Sequence, residues 1–490
     1  MFIYSLHIAL PQSPFGFLGP SGVSTRLKHA SFLRCLLCGF LLASCSAPLP
    51  YVSKPSGQEE ARRNFTARSL NDAALKQFLI SAGQSLPNQD QAWDFETLSL
   101  VSTFFNPDMA VSEAHWREAM AESGVLLSSK SPQLDFLMEH HSVTEPIRPR
   151  PWSWGIGFEF VLPDADRVAA KTQLATVQVT LARLEVASSS WRGRSALRAA
   201  WIDYFIAQDR AVLVEQQLAL SRAHLLQIRQ RVDSGLQGRG DLQAAQDWVQ
   251  IVEIEHAEIQ RALQRQQAHL RALIFLPPSE TALPHLQGWD WQALMEKVFN
   301  LREDVLQDLA LTHRLDLRGA EARYAVADAK LRLEVAQQYP EISLKPGYEW
   351  DQGDHRLKLG LGLPIALPGA HKAAVERASS ERDTQGQLLL ATQEQVLQES
   401  TRAHKDCLVA SDKLKDVKRA QTLSERARDQ VKLSIRLGEA DPIQAFEAEL
   451  KVMHAKMQKL EAQRDLQQKM ARLEDVLQQP LMLISVRGAP

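Results

Sequence analysis

The chain repeats itself, and nothing else in it restricts the fold as much. "NPDMAVSEAHWREA" from Asn106 matches "RLDLRGAEARYAVA" from Arg314, 208 residues later. "SPQLDF" from Ser131 matches "YPEISL" from Tyr339 at the same offset. "FVLPDADRVAA" from Phe160 matches "IALPGAHKAAV" from Ile365 at 205, and "SGLQGRGDLQAAQ" from Ser234 matches "LGEADPIQAFEAE" from Leu437 at 203. Matches in one order with a slowly drifting offset mark two copies of one unit.

Each unit reads the same way. A helix comes first (about 97–128 and 300–338), then two alternating segments, then a helical stretch from 164 to about 234 or from 369 to about 437. A glycine-containing turn ends that stretch, and a return helix closes the unit (about 241–276 and 442–478). A helix of ~70 residues is ~105 Å long at 1.5 Å per residue, so it needs partners along its whole side. Val396, Ala403, Cys407, Ala410, Leu414 and Val417 keep a mixed three-four-seven spacing, as do Val177, Leu181, Leu184 and Trp191. On helices alone, an ordinary soluble coiled coil stays open.

Four segments alternate: Leu134–His140, Trp152–Leu162, Ile342–Trp350 and Arg356–Leu363. In "WSWGIGFEFVL", Trp152, Trp154, Ile156, Phe158, Phe160 and Leu162 share one face, opposite Ser153, Gly155, Gly157 and Glu159. Leu357, Leu359, Leu361 and Leu363 likewise oppose Arg356, Lys358, Gly360 and Gly362. These runs approach the roughly 9–11 residues of a tilted membrane-spanning strand, apolar outward and polar or Gly inward. Trp152, Trp154, Tyr348 and Trp350 stand where an aromatic girdle would lie. Four strands cannot close a barrel, so either helices cover the sheet or several chains share one barrel.

A formal net charge of −2 gives no reason to expect nucleic-acid binding. Three of the four cysteines fall within the first 45 residues, which excludes a disulfide framework in the body. "LLCGFLLAS" after Arg26, Lys28 and Arg34 reads as a secretory signal too short to span a membrane. Leu42-Ala-Ser-Cys45 resembles a bacterial lipobox, in which Cys45 takes acyl chains of the palmitate kind; a plain signal cut nearby is the alternative. The expected division is a lipoprotein-type signal peptide at 1–44 and a lipid-anchored extension at 45–92. Repeat 1 follows at 93–290 (strands about 132–162), repeat 2 at 291–478 (strands about 341–367), and a tail at 479–490.

The duplicated "NPD…EA" and "RLDLRGAEAR" openings, the "LP" strand-to-helix junctions, the lipobox and the turns at Gly235 and Gly438 resemble the TolC-like outer-membrane efflux proteins. The likeness covers nearly all of the chain after the signal. Leu315 stands where the family's second opening usually has Pro. The resemblance implies a mainly α fold with a small membrane β-barrel portion. Four strands from each copy of a homotrimer would join one barrel in the outer-membrane lipid, above a long α-helical tube. It implies a periplasmic adaptor and an inner-membrane pump as partners, no cofactor and no enzymatic activity. "LGEADPIQAFEAE" and "KPGYEWDQGDHRLKLGLGLPIALPG" most resemble the metal-efflux outer components of the CzcC and CusC type.

The turns at Gly235 and Gly438 are then the periplasmic tip, with Gly suited to left-handed helix ends. The family places acids near that tip, and counting from each Gly gives Asp241 and Glu447, with Gln444 replacing an expected acid. Asp441, before Pro442, reads as a helix cap, and Asp241 has the same alternative. Adjacent His140 and His141 on a strand point to opposite faces and cannot simply chelate one metal. A periplasmic coiled-coil adaptor and a helical-repeat scaffold remain as rival readings. The first would carry one hairpin between compact β domains, and the second accounts for neither the lipobox nor the strand faces.

Overall fold

The structure is a computed structural model, and it describes residues 57–84, 92–142, 151–278, 286–288, 290–365 and 369–483. The signal segment and Cys45 lie outside the described residues.

Each unit opens with two helices, where the sequence suggested one. In the first, α3 (Phe95–Phe105) and α4 (Pro107–Leu127) are separated by Asn106. Pro107 cannot supply the N–H that a continuous helix requires, and the Asn106 side chain accepts the Asp108 N–H at 2.9 Å. In the second, α8 (Glu303–His313) and α9 (Leu315–Ala336) break at Arg314. Ahead of these come α1 (Gln58–Thr66) and α2 (Ala73–Ser81) in the first half and α7 (Trp291–Phe299) in the second.

The long descending helices are α5 (Ala165–Asp233) and α10 (Ala370–Arg436), and the return helices are α6 (Arg239–Ile274) and α11 (Ile443–Leu477). Each descending helix packs along its own return helix, and α5 also lies against α11, giving a row α6–α5–α11–α10. Above the return helices, α4 and α9 flank α5, and α9 also lies on α10.

Each unit has its own core at the level where short helices meet the long pair. In the first, Leu75, Leu79, Phe95, Leu98 and Val101 pack on Leu197, Trp201, Leu270 and Ile274. In the second, Trp291, Leu294, Leu306 and Leu317 pack on Val396, Cys407, Leu414, Leu466 and Leu473. The α2 helix thus docks the N-terminal extension into the core of unit one, and the Arg68 guanidinium donates to the Phe275 carbonyl at 3.0 Å. Val396, Ala403, Cys407, Ala410 and Leu414 are buried as their spacing implied, whereas Val177, Leu181 and Leu184 are only half-buried.

The four strands are β1 (Gln133–His140), β2 (Trp152–Val161), β3 (Ser343–Asp351) and β4 (Asp354–Gly362). They form one antiparallel sheet in chain order, so the two units join at β2–β3 and the outer edges are β1 and β4.

Candidate functional site: an open sheet above a helical wall

The strand register sorts the side chains into two faces. Phe136, Ile156, Tyr348 and Leu357 lie in one cross-strand row. The next row holds Asp135, Gly157, Gly347 and Lys358. The apolar face is bare: Leu357 is 89% exposed, Leu361 75% and Phe136 68%. Apolar surface of this extent does not stay in water on a soluble monomer. Among the described residues no helix covers it, which argues against the covered-sheet alternative.

The opposite face is a lattice of charge. The Lys345 ammonium meets Glu159 at 3.0 Å, Arg356 meets Asp351 at 2.9 Å and Glu349 at 3.6 Å, and Lys358 also pairs with Glu349. Glycine leaves this face room. A methyl at Gly362 would come within 2.3 Å of the Ser343 hydroxyl. Where β1 ends, His141 lies 2.9 Å from the Ser153 hydroxyl, which donates to Asp351 at 2.6 Å and ties β1, β2 and β3 together. His140 instead packs its ring on Trp152 on the apolar face. The two histidines therefore diverge, and among the described residues no cluster of three metal-ligating side chains forms. At the sheet's base, Glu341, just before β3, receives both Lys130, in the segment after α4, and Arg167 of α5 at 2.5 Å.

The far end of the helices holds the sequence-selected residues. Gly235 and Gly438 have φ of 71° and 76°, the left-handed region that a side chain disfavours. The Asp241 carboxylate accepts the Gly238 N–H at 3.3 Å, as a helix-start residue does. Asp441 accepts the Ile443 N–H at 2.9 Å and also takes both arms of the Arg231 guanidinium, at 3.1 and 3.0 Å. That fork ties the end of α5 to the turn of the second unit. About two turns of helix away, His224 stacks flat on Phe446, with centroids 3.7 Å apart. Gln444 and Glu447 lie in the first turns of α11 beside this stack. The structure thus brings Asp441 to Arg231, a partner that no local spacing reveals, because 210 residues separate them. It does not join Asp241 to Glu447 in one chain.

Near its end the return helix α11 joins a further charged cluster that sequence reading missed. Arg194 and Arg198 reach Glu474 at 3.0 and 3.4 Å, Arg194 also takes Glu96 at 2.6 Å, and the Arg198 guanidinium lies 3.5 Å over the Phe95 ring. Glu96, the Arg194 and Arg198 pair, and Glu474 lie far apart in sequence on three different helices, so only the packing brings them together.

The family described as outer membrane efflux protein matches residues 105–274 and 306–478, one segment in each unit. A curated relative, nodulation protein T of Rhizobium leguminosarum bv. viciae, is 30% identical over 184 residues. That match spans 34% of this chain and 37% of the relative, about a third of its length. Among solved structures, the outer membrane protein VceC of Vibrio cholerae superposes with a TM-score of 0.61 at 18% identity, over 79% of this chain and 96% of that one. CusC gives 0.63 at 15% identity over 87% and 98%, and the outer membrane channel CmeC of Campylobacter jejuni 0.61 at 12% over 88% and 93%. At such identities these likenesses establish the fold. The family match covers most of the chain, and this protein therefore belongs to the outer membrane efflux protein family, a family of channels of the outer membrane and not of enzymes.

Proposed function

We propose that three copies of this chain close a twelve-stranded barrel in the outer membrane and extend it as an α-helical tube into the periplasm. The assembly is the outer channel of a tripartite efflux system, working with a periplasmic adaptor and an inner-membrane pump. One observation carries this reading: the four-stranded sheet has a bare apolar face, a charged face and, among the described residues, two edges without a strand partner. An open edge is untenable in lipid, where every backbone polar group needs a partner. Further copies supply those partners and turn the charged face into a pore lining.

Cys45 is the acylated first residue of the mature protein, and it anchors the extension that α2 docks against the wall. The cargo is small molecules or metal ions, with the sequence likeness to CzcC- and CusC-type components favouring metal. At the tip, Gly235 and Gly438 form the hairpin turns, and Asp241 and Glu447 form acidic rings that favour cations. Gln444 lowers the charge there, and Asp441 holds the hairpins together through Arg231.

The first test is the mass of the detergent-solubilised complex, beside its mobility unheated and boiled. Three chains in one heat-sensitive species is the expected result. A monomer that dissolves without detergent overturns the reading. For the tip, unchanged conductance and cation selectivity after neutralising Asp241 and Glu447 together would remove the ring assignment.

A further inference from the structure

Resting on the trimeric reading above, edge helix α6 of one copy lies against edge helix α10 of the next. The internal duplication says how they meet. Within one chain the two units touch where α5 lies on α11. Two ion pairs cross that seam: Arg210 to Glu461 at 3.2 Å, and Arg464 to Asp203 at 2.9 Å. Ile202, Ile206 and Leu460 form a buried cluster beside them.

The α10 helix is the copy of α5, and α6 is the copy of α11, in step at the 203-residue offset. Asp203, Ile206 and Arg210 correspond to Asp406, Val409 and Lys413. Leu460, Glu461 and Arg464 correspond to Ala257, Glu258 and Arg261. Both charged pairs are kept in sign and position, although the two helices that carry them do not meet in a single chain.

The free edges also look unfinished. Val409 is 70% exposed where its counterpart Ile206 is 7% exposed. Glu258 and Arg261 are exposed and have no ion pair among the described residues. Among the described residues, Lys413 and Asp406 pair with water-exposed partners on their own return helix, Asp465 at 3.2 Å and Lys469 at 3.4 Å. The sheet edges carry the same polarity. On its charged face β1 presents Asp135 and Glu139, unpaired among the described residues, while β4 presents Arg356 and Lys358. A first-unit edge therefore matches a second-unit edge in both layers, which is a head-to-tail contact able to close a ring.

We propose that Lys413 and Asp406 of one copy pair with Glu258 and Arg261 of the next, with Val409 packed on Ala257 between them. The seam between copies is then a repetition of the seam within one, and it fixes both the order and the height of neighbouring wall helices.

The test uses the full-length protein in detergent, with Cys407→Ala as background. Val409→Cys and Ala257→Cys together are expected to give covalent species up to three chains on mild oxidation, while either change alone gives none. Separately, Glu258→Lys with Arg261→Glu should abolish the trimer band on an unheated gel, and adding Lys413→Glu with Asp406→Lys should restore it. If the oxidised double-cysteine protein runs as one chain while its native mass is three, the helix-edge assignment is wrong and the trimer stands. A fourfold variant as dissociated as the twofold one sinks the ion-pair matching. A native mass of one chain for the unaltered protein removes the trimeric reading itself.

Discussion

Leu315 shows how one position can depart from a motif and be compensated. Leu has a backbone N–H where Pro has none, and that N–H donates to the Gln478 side chain at 2.5 Å. Beside it, the buried Arg314 guanidinium holds Asp316 at 2.5 Å and Glu399 at 2.6 Å. Burial pushes the Asp316 carboxyl up, but the Arg314 bonds outweigh it, and the group stays below its ordinary range. Leu315→Pro is expected to change stability by less than about 1 kcal/mol, since a favourable first-turn Pro offsets one lost hydrogen bond; chemical denaturation measures it. Cys407 is a plainer case. Burial, with Asp406 nearby, raises its thiol to about 12. Alkylation at pH 8 should leave the Cys407 peptide unmodified in the native protein and label it fully after denaturation, because the thiolate is the reactive form.

At the scale of elements, the tip hairpins are joined unequally. The Arg231–Asp441 fork and the His224–Phe446 stack tie the two hairpins of one chain. At the 203-residue offset their counterparts are Ser434 with Gly238 and Ala427 with Gln243, which offer neither contact. Loosening of the tip is therefore expected first between copies, and Arg231→Ala should add looseness within one; limited proteolysis at 234–242 and 437–443 reads both. Both links weaken in acid, but in different pH windows. The Ile443 N–H, burial notwithstanding, and then Arg231 hold the Asp441 carboxyl below the ordinary aspartate value. Its contribution is complete above an unfolded pKa of about 3.9 and fades only as pH falls through the lower folded value. Burial lowers the His224 imidazole, with Glu447 opposing. That contribution is present above about 6.5 and is lost as pH falls from there towards the folded value. Going from pH 7.5 to 5.5 should thus weaken the stack and spare the fork. Thermal unfolding should lose part of its pH dependence in His224→Phe, and an unchanged dependence would show that the stack is not its source.

At the scale of the molecule, the two sheet faces make opposite demands. Leu357 and Leu359 face outward, and Lys358 between them faces the charged side. Leu359→Arg is expected to destabilise the assembly by roughly 2–4 kcal/mol, the cost of a charge on a lipid-facing strand near mid-membrane. Lys358→Gln should leave heat stability nearly unchanged and alter ion selectivity. Equal effects of the two changes on heat stability would mean that the faces are not lipid and lumen. The charged cluster at Arg194, Arg198 and Glu474 acts at this scale as well, since it joins the first unit's core to the second unit's return helix. Glu474→Ala leaves two buried guanidinium groups short of a partner, and removing one member of such a set costs about 3–5 kcal/mol.

The repeat, the strand periodicity and the helix lengths were legible along the chain, because each depends on side chains recurring at a short fixed interval. The residues of the apolar sheet face, of the α10 seam and of the tip turns could be named from the sequence for that reason. The break at Asn106 has its local signal too, in Pro107. What the chain could not show is which repeats touch which. Arg231 meets Asp441 across 210 residues and Arg194 meets Glu474 across 280, and in sequence each is one more charge on a solvated helix. Those meetings follow from α5 lying on α11, an alignment of whole helices that no local pattern encodes, and only the tertiary structure decided them.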